Sequence, residues 1–524
     1  MTPEEKDAYI KQLETTIENL NKKIENLTET IVQLTRAIYG SSSEKTPKSK
    51  EEQAKEKEAK GVFNEAESSA DENAVEPAKI TNKGKVRMNP NSRHEFVMKD
   101  IQVRKIIHEL NPENLICPLC GSHLKPIGTR VVRREINFIP ARLEIIETIQ
   151  TSYGCPNCKR TDHPYIISAP VPTSLLNHSP ASASSVANVM YQKFDNAMPL
   201  YRQEKEWENL GIHLNRATMA NWVIRCSEDY LQPIVAKLHE ELLKRDIVHA
   251  DETPVQVLKE EGKAATSKSY MWLYRSGNDG NAVIILYDYK SSRSGDNARE
   301  FLKGFKGYLH CDGYAGYNKL GEGIVRCGCL AHIRRKFIEA IPAVKTKESC
   351  KTLAEIGRDY CDKLFAIEKD IVKLSAAEKY DKRLELSKPV LDEFYSWVKK
   401  LNALPGSKLG KAAIYALNQQ QYMENFLLDG RLEISNNAAE NAIRPFTVGR
   451  KNWLFADTVK GAKASATVYS IIETAKANGL NTYKYLEYLL KNMPDADYQR
   501  HPENLEKLMP WSDEVKTACS KVHD

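Results

Sequence analysis

His249-Ala250-Asp251-Glu252-Thr253-Pro254 is the stretch whose reading decides the fold. It closes a β-prone run from Ile247 to Ala250, and a second such run, Tyr308 to Cys311, closes on Asp312. If the two strands are neighbours, both carboxylates emerge at one sheet edge. A third acidic point, Glu440 in Asn437-Ala438-Ala439-Glu440-Asn441, joins them from a helix that Ser435 can cap, with Glu440 in its second turn. Oxygen-only ligands of this kind suit Mg2+ or Mn2+, which bind through a few carboxylates plus substrate phosphates. Two such ions clamp the attacking and leaving oxygens of an in-line displacement at phosphorus. Phosphodiester cleavage or transfer by Asp251, Asp312 and Glu440 is the expected chemistry, with Glu252 and Glu433 as the nearest rival carboxylates.

Outward from that stretch, the order of elements is specific. Strands are expected through Val257, over Tyr270 to Tyr274 and over Ala282 to Tyr287, then a helix Asp296 to Phe305, then strands Tyr308 to Asp312 and Ile324 to Cys329. Three strands, a helix and further strands is the ribonuclease H-like order, in which the first and fourth strands are adjacent. Residues 246–480 are therefore expected to form a mixed sheet with helices, interrupted by a helical insertion at about 341–430. Within the insertion Leu353, Ile356, Tyr360, Leu364, Ile367, Ile371 and Leu374 recur on one helical face, and Leu391, Phe394, Val398 and Leu401 on another. Residues 481–524 read as a C-terminal helical tail.

Upstream the chain is a series of modules. Ile10, Leu13, Ile17, Leu20, Ile24, Leu27, Ile31, Leu34 and Ile38 form an unbroken heptad seam with Ile at every a and Leu at every d. That combination favours a parallel two-stranded coiled coil over residues 1–42, hence a homodimer or higher oligomer. Residues 43–95 are charged and Ser-rich and read as a flexible linker. Cys117-Pro-Leu-Cys120 and Cys155-Pro-Asn-Cys158 are two knuckles within 96–172 whose four thiolates suit one structural Zn2+ in a zinc-ribbon-like module. Their spacer exceeds the usual roughly 15 to 20 residues, and an added hairpin absorbs the difference. Residues 173–245 turn helical, and Gly211 between two helical stretches gives a helix-turn-helix-like region with Arg216 to Arg225 on the second helix.

Composition narrows the class without deciding it. A chain of 524 residues with 41% hydrophobic residues accommodates several domains with real cores. The net charge of +6 is mild, so nucleic-acid binding rests on local clusters. Candidates for phosphate contact are Arg130, Arg133, Arg134, Arg216, Arg334, Arg335, Arg444, Arg450 and Lys451, and Trp453 is positioned to stack a base. His332 is a candidate catalytic residue that contacts the scissile phosphate or a metal-bound water, the alternative being a buried, satisfied histidine. An odd count of eleven cysteines with two close pairs favours reduced thiols, and no long apolar run marks a membrane span, so a soluble intracellular protein is expected.

The phrases Ala250-Asp251-Glu252-Thr253-Pro254, Cys311-Asp312-Gly313-Tyr314-Ala315-Gly316-Tyr317-Asn318, Gly328-Cys329-Leu330-Ala331-His332-Ile333-Arg334-Arg335-Lys336, Asn436-Asn437-Ala438-Ala439-Glu440-Asn441-Ala442-Ile443-Arg444-Pro445 and Tyr469-Ser470-Ile471-Ile472-Glu473-Thr474-Ala475-Lys476-Ala477-Asn478-Gly479 closely resemble the insertion sequence 66 family of DDE transposases. The likeness extends over nearly the whole chain, with Leu330 where the family typically carries Trp. It implies that Asp251, Asp312 and Glu440 are the catalytic triad of a multidomain α/β transposase. It also implies a bacterial, cytoplasmic and nucleoid-associated setting, double-stranded DNA partners (element-end inverted repeats and target DNA) and small accessory proteins of the same element. The competing classes are a non-catalytic zinc-containing DNA-binding regulator and a nuclease without strand transfer.

Overall fold

This computed structural model describes residues 143–154, 166–342 and 351–521. The heptad seam, the linker, Cys117, Cys120, Cys155 and Cys158, and Arg130, Arg133 and Arg134 lie outside the described residues. The described residues of Thr148–Lys521 form one compact unit, and residues 143–147 belong to a second.

A small antiparallel pair, β1 (Ser152–Gly154) and β2 (Ile166–Ser168), precedes four helices: α1 (Ala183–Phe194), α2 (Leu200–Asn209), α3 (Arg216–Cys226) and α4 (Gln232–Leu243). Gly211, at φ +92°, supplies the left-handed turn between α2 and α3. Asn215 caps α3 by accepting the Thr218 amide at 2.8 Å.

The central sheet holds β3 (Ile247–Lys259), β4 (Lys268–Ser276), β5 (Ile285–Lys290), β6 (Gly307–His310) and β7 (Ile324–Cys327), with α5 (Gly295–Phe301) before β6. Its order is β5-β4-β3-β6-β7. The first three strands are antiparallel, and β6 and β7 run parallel to β3, so the first and fourth strands do pair. Burial follows this topology. Ile247 to Ala250 are buried together where β3 is covered on both faces, and beyond Pro254 burial alternates through Val255 and Val257. β3 runs through Val257 as expected and on to Lys259, its antiparallel pairing with β4 continuing to Gln256. β6 ends at His310, short of the expected Asp312. The third strand starts three residues later than expected, at Ile285.

After β7 come α6 (Leu330–Ala340), α7 (Leu353–Asp370), α8 (Ala376–Lys382), α9 (Lys388–Lys400) and α10 (Lys408–Met423). Their core is continuous with Ile247 and Cys327 of the sheet, through Phe337, Leu364, Phe394 and Val398. The fully buried seam of α7 is Ala354, Gly357, Cys361 and Leu364; of the expected apolar face, Leu364 and Ile371 are buried, Leu353, Tyr360 and Ile367 pack against the same core, and Leu374 is exposed. Small residues win that position because α7 lies close to α6: a Cβ on Gly357 would collide with the Phe337 ring. The buried Arg383 ties the insertion together, pairing with Glu368 at 2.6 Å and donating to the carbonyls of Phe426, Asp429 and Leu432.

The chain returns through α11 (Asn437–Trp453), β8 (Ala456–Thr458), which pairs with the far end of β3, and α12 (Val459–Ala477). α12 covers the β5 edge: Ser470 and Thr474 hydroxyls accept the outward amides of Tyr287 at 2.8 Å and Ile285 at 3.0 Å. α13 (Thr482–Asn492) then packs on α1, with Tyr483 edge-on to Tyr191 and Asp195 held by Thr482 at 2.5 Å and Lys476 at 2.6 Å. α14 (Asp513–Cys519) follows. Among the described residues no helix is long and apolar enough to cross a membrane.

Candidate active site

The site is built where β3, β6, α6 and α11 meet. The parallel register pairs His249 with His310, and two residues further along each chain stand Asp251 and Asp312. Asp251 accepts the Glu252 amide at 2.9 Å and Asp312 the Tyr314 amide at 2.9 Å, which fixes both carboxylates against their own backbone. The turn after Asp312 is tight because Gly313 sits against Tyr415 with no room for a Cβ. Arg326 donates to the Asp312 carbonyl at 2.6 Å and lies over the Tyr422 ring, locking that turn from behind.

Glu440 lies in the first turn of α11. Ser435 does not cap this helix: Asn436 occupies the N-cap position and its side chain turns into the core instead. There it donates to the Ala250 carbonyl at 2.8 Å and its Oδ1 meets His249 Nδ1 at 3.1 Å, while its backbone amide donates to Cys329 Sγ at 3.1 Å. One residue thus joins the strand of Asp251, the first residue before α6 and the helix of Glu440. His249 stacks on His310, 4.5 Å between ring centres, and His310 Nε2 accepts the Glu433 amide at 3.4 Å. Burial holds the His249 ring neutral, its pKa lowered to about 4.

Electrostatics mark this place. Burial first, and then the charges of Glu252, Asp312 and Glu440, push the Asp251 carboxyl up to about 8. Glu440 faces His332 Nε2 at 3.8 Å and Arg335 at 3.5 Å, and its Oε1 is buried without a hydrogen-bond partner. Glu252 is committed elsewhere, to Arg293 at 2.5 Å and Tyr317 at 2.6 Å. A pKa above the unfolded value means that folding favours the protonated acid, so the wild-type protein loses stability as pH rises from about 4 through about 8. Without added divalent cation, Asp251→Asn should therefore be more stable than wild type by roughly 2 kcal/mol at pH 9, a figure discounted for partial exposure, and by far less at pH 5. Urea titrations at the two pH values check this; a difference that shrinks at high pH contradicts it.

These side chains all fall within residues 178–464, which match the Transposase IS66 family. The chain belongs to that family. Two further matches, in chain order, flank the first: the zinc-finger binding domain of transposase IS66 over residues 114–159, and the IS66 C-terminal element over 470–511. The first of these contains Cys117, Cys120, Cys155 and Cys158. Among curated relatives, the uncharacterized protein y4qI of Sinorhizobium fredii (strain NBRC 101917 / NGR234) is 29% identical over 395 residues, 72% of this chain and 70% of the relative. The uncharacterized protein y4hP of the same strain is 28% identical over 413 residues, 75% of this chain and 73% of the relative. A solved structure, the Drosophila P element transposase strand transfer complex, aligns with 63% of this chain and 94% of its own at 11% identity and a TM-score of 0.23, which carries no argument about the fold.

In this IS66-family chain the basic candidates divide by their contacts. Arg334 is paired with Asp362, and Arg450 donates to Thr253 and to the Pro254 carbonyl, so both hold the fold together. Trp453 packs with Phe194 and Tyr469 under the Lys193 ammonium, so its ring is already occupied, contrary to the expected base stacking. Arg216, Arg335, Arg444 and Lys451 are exposed. Leu330, the departure from the family phrase, is fully buried, and its amide donates to the Ile434 carbonyl at 3.0 Å. Sequence reasoning missed Asn436, His249, His310 and Arg326. Asn436, within Ser435-Asn436-Asn437, and His249, at the head of His249-Ala250-Asp251, stood in phrases already singled out, and His310 lay in the Tyr308 to Cys311 run.

Proposed function

We propose that this chain is a DDE-type transposase with a ribonuclease H-like catalytic domain. It binds the inverted repeats at element ends, cleaves the DNA and joins the freed 3′-hydroxyls to target DNA. The observation that carries the reading is the grouping of three carboxylates, Asp251 on β3, Asp312 two residues past the paired end of β6 and Glu440 in the first turn of α11, whose charges act on one another in a buried place where cations would relieve them. The donor set fits hard divalent ions, Mg2+ or Mn2+, with Asp251, Asp312 and Glu440 as holders and the unpartnered Glu440 Oε1 as a ready ligand. Two bound ions supply Lewis-acid stabilisation of in-line phosphoryl transfer. His332, beside Glu440, is positioned to hold a proton or a phosphate oxygen at Nε2. The four knuckle cysteines hold one Zn2+, the N-terminal seam pairs protomers, and accessory proteins of the same element assist in a cytoplasmic, nucleoid-associated setting.

The deciding experiment incubates the purified protein with its own flanking element ends and Mg2+ and scores nicked and joined strands. Joined products support a transposase, nicks alone a nuclease, and binding alone a regulator. Exposed Arg444 and Lys451, on the helix that carries Glu440, contact DNA phosphates in this reading. The Arg444→Ala, Lys451→Ala double variant should reduce the slope of log binding constant against log salt by roughly 1 to 2. An unchanged slope removes both residues from the DNA path.

A further inference from the structure

Cys329, His332 and Glu440 stand together at the base of the site, and their donor atoms all lie within 4.8 Å of one another. Local structure explains the cluster. Cys329 is the N-cap residue of α6 and His332 lies one turn on, so thiol and imidazole share one face of the helix start. Glu440 enters from the first turn of α11, which the Asn436 amide anchors to the same sulfur at 3.1 Å. The amides of Ala331 and His332 also point at that sulfur.

The gap between His332 Nε2 and Glu440 Oε1 is informative. At 3.8 Å it is too long for a hydrogen bond, and a small approach of the two side chains brings them to the separation of two ligands on one tetrahedral ion. Glu440 Oε1 is buried with no hydrogen-bond partner. The set of one soft sulfur, one imidazole nitrogen and one carboxylate differs from the all-oxygen set of Asp251 and Asp312, and it matches ions of the Zn2+ class.

We propose that Cys329, His332 and Glu440 form a second metal site, selective for thiophilic divalent cations, that competes with the catalytic ions for Glu440. The competition rests on the reading of Glu440 given above; the binding does not. A Zn2+-class ion held on α6 keeps the Glu440 carboxylate from Asp251 and Asp312, so cleavage in Mg2+ is switched off while the ion is bound.

Cd2+ is the probe, added to the full chain after exchangeable metal has been dialysed away and followed by the ultraviolet cadmium–thiolate charge-transfer band. Wild type should show a saturable band increment over Cys329→Ser, whose four knuckle cysteines give the same background. His332→Ala keeps the thiol and should weaken that increment at least about tenfold. Circular dichroism verifies that each variant is folded, and if Cys329→Ser is not, His332→Ala alone carries the comparison. Identical titrations of wild type and the folded variants overturn the site and leave the catalytic assignment standing. Mg2+-dependent nicking tests the competition: in wild type it should fall about tenfold or more at saturating Cd2+, and His332→Ala should require at least tenfold more Cd2+ for the same relative loss. Nicking by wild type that persists at saturating Cd2+ overturns the competition.

Discussion

Asp251→Asn, Asp312→Asn and Glu440→Gln should each lower Mg2+-dependent cleavage of element-end DNA by at least about a thousandfold, with DNA affinity changed less than about threefold. In phosphoryl transfer the protein positions reactants and neutralises charge, so a lost carboxylate removes a cation ligand that nothing nearby replaces. The rivals are poorly placed to compensate. Glu252 is paired with Arg293 and accepts a hydrogen bond from Tyr317, and Glu433 lies before α11, its carboxyl pKa raised by burial. The three substitutions keep side-chain shape, and Asp251→Asn should raise stability in the cation-free protein, so lost cleavage by that variant will not be a folding defect. Cleavage and gel-shift assays on the same preparations check the pair of outcomes. Three active variants would mean that the carboxylates were misassigned.

Asn436→Ala should be the most damaging change outside the carboxylates. It removes the bond to the Ala250 carbonyl and leaves His249 Nδ1 buried without a partner, at a cost of roughly 2 to 4 kcal/mol. The chemical consequence is separate: the start of α11 is no longer tied to the strand of Asp251, and a displacement of about 1 Å costs on the order of a hundredfold in rate. Single-turnover cleavage at saturating DNA should fall by that factor at a temperature where the variant is folded. Full activity in the folded variant would show that Ala439, Ala442, Ile443 and Phe446 seat α11 unaided.

The fold was legible where local pattern and tertiary demand coincide. The β3, β4, β6 and β7 cores, the α2-turn-α3 pair and the helical insertion all follow from periodicity and turn residues, because their buried faces repeat at the spacing of the element itself. The α7 face is legible in Leu353, Tyr360, Leu364 and Ile367, whereas the small Ala354, Gly357 and Cys361 buried beside it are not, Gly357 being set by Phe337 on another helix. The same limit applies at the site. The acidic residues stood out by their phrases, whereas Asn436 looks like an ordinary cap until β3 lies beside it, and Arg334 looks like a free cation until Asp362 does.

The seating of α13 on α1 also bears on biosynthesis. Asp195 meets its partner Thr482 across 287 residues of sequence, so at about 5 to 20 residues per second a ribosome needs roughly 15 to 60 seconds to supply it. Until then the side of α1 that α13 covers has no partner. The side of α1 that carries Tyr191 and Asp195 is thus completed only by the C-terminal part of the chain.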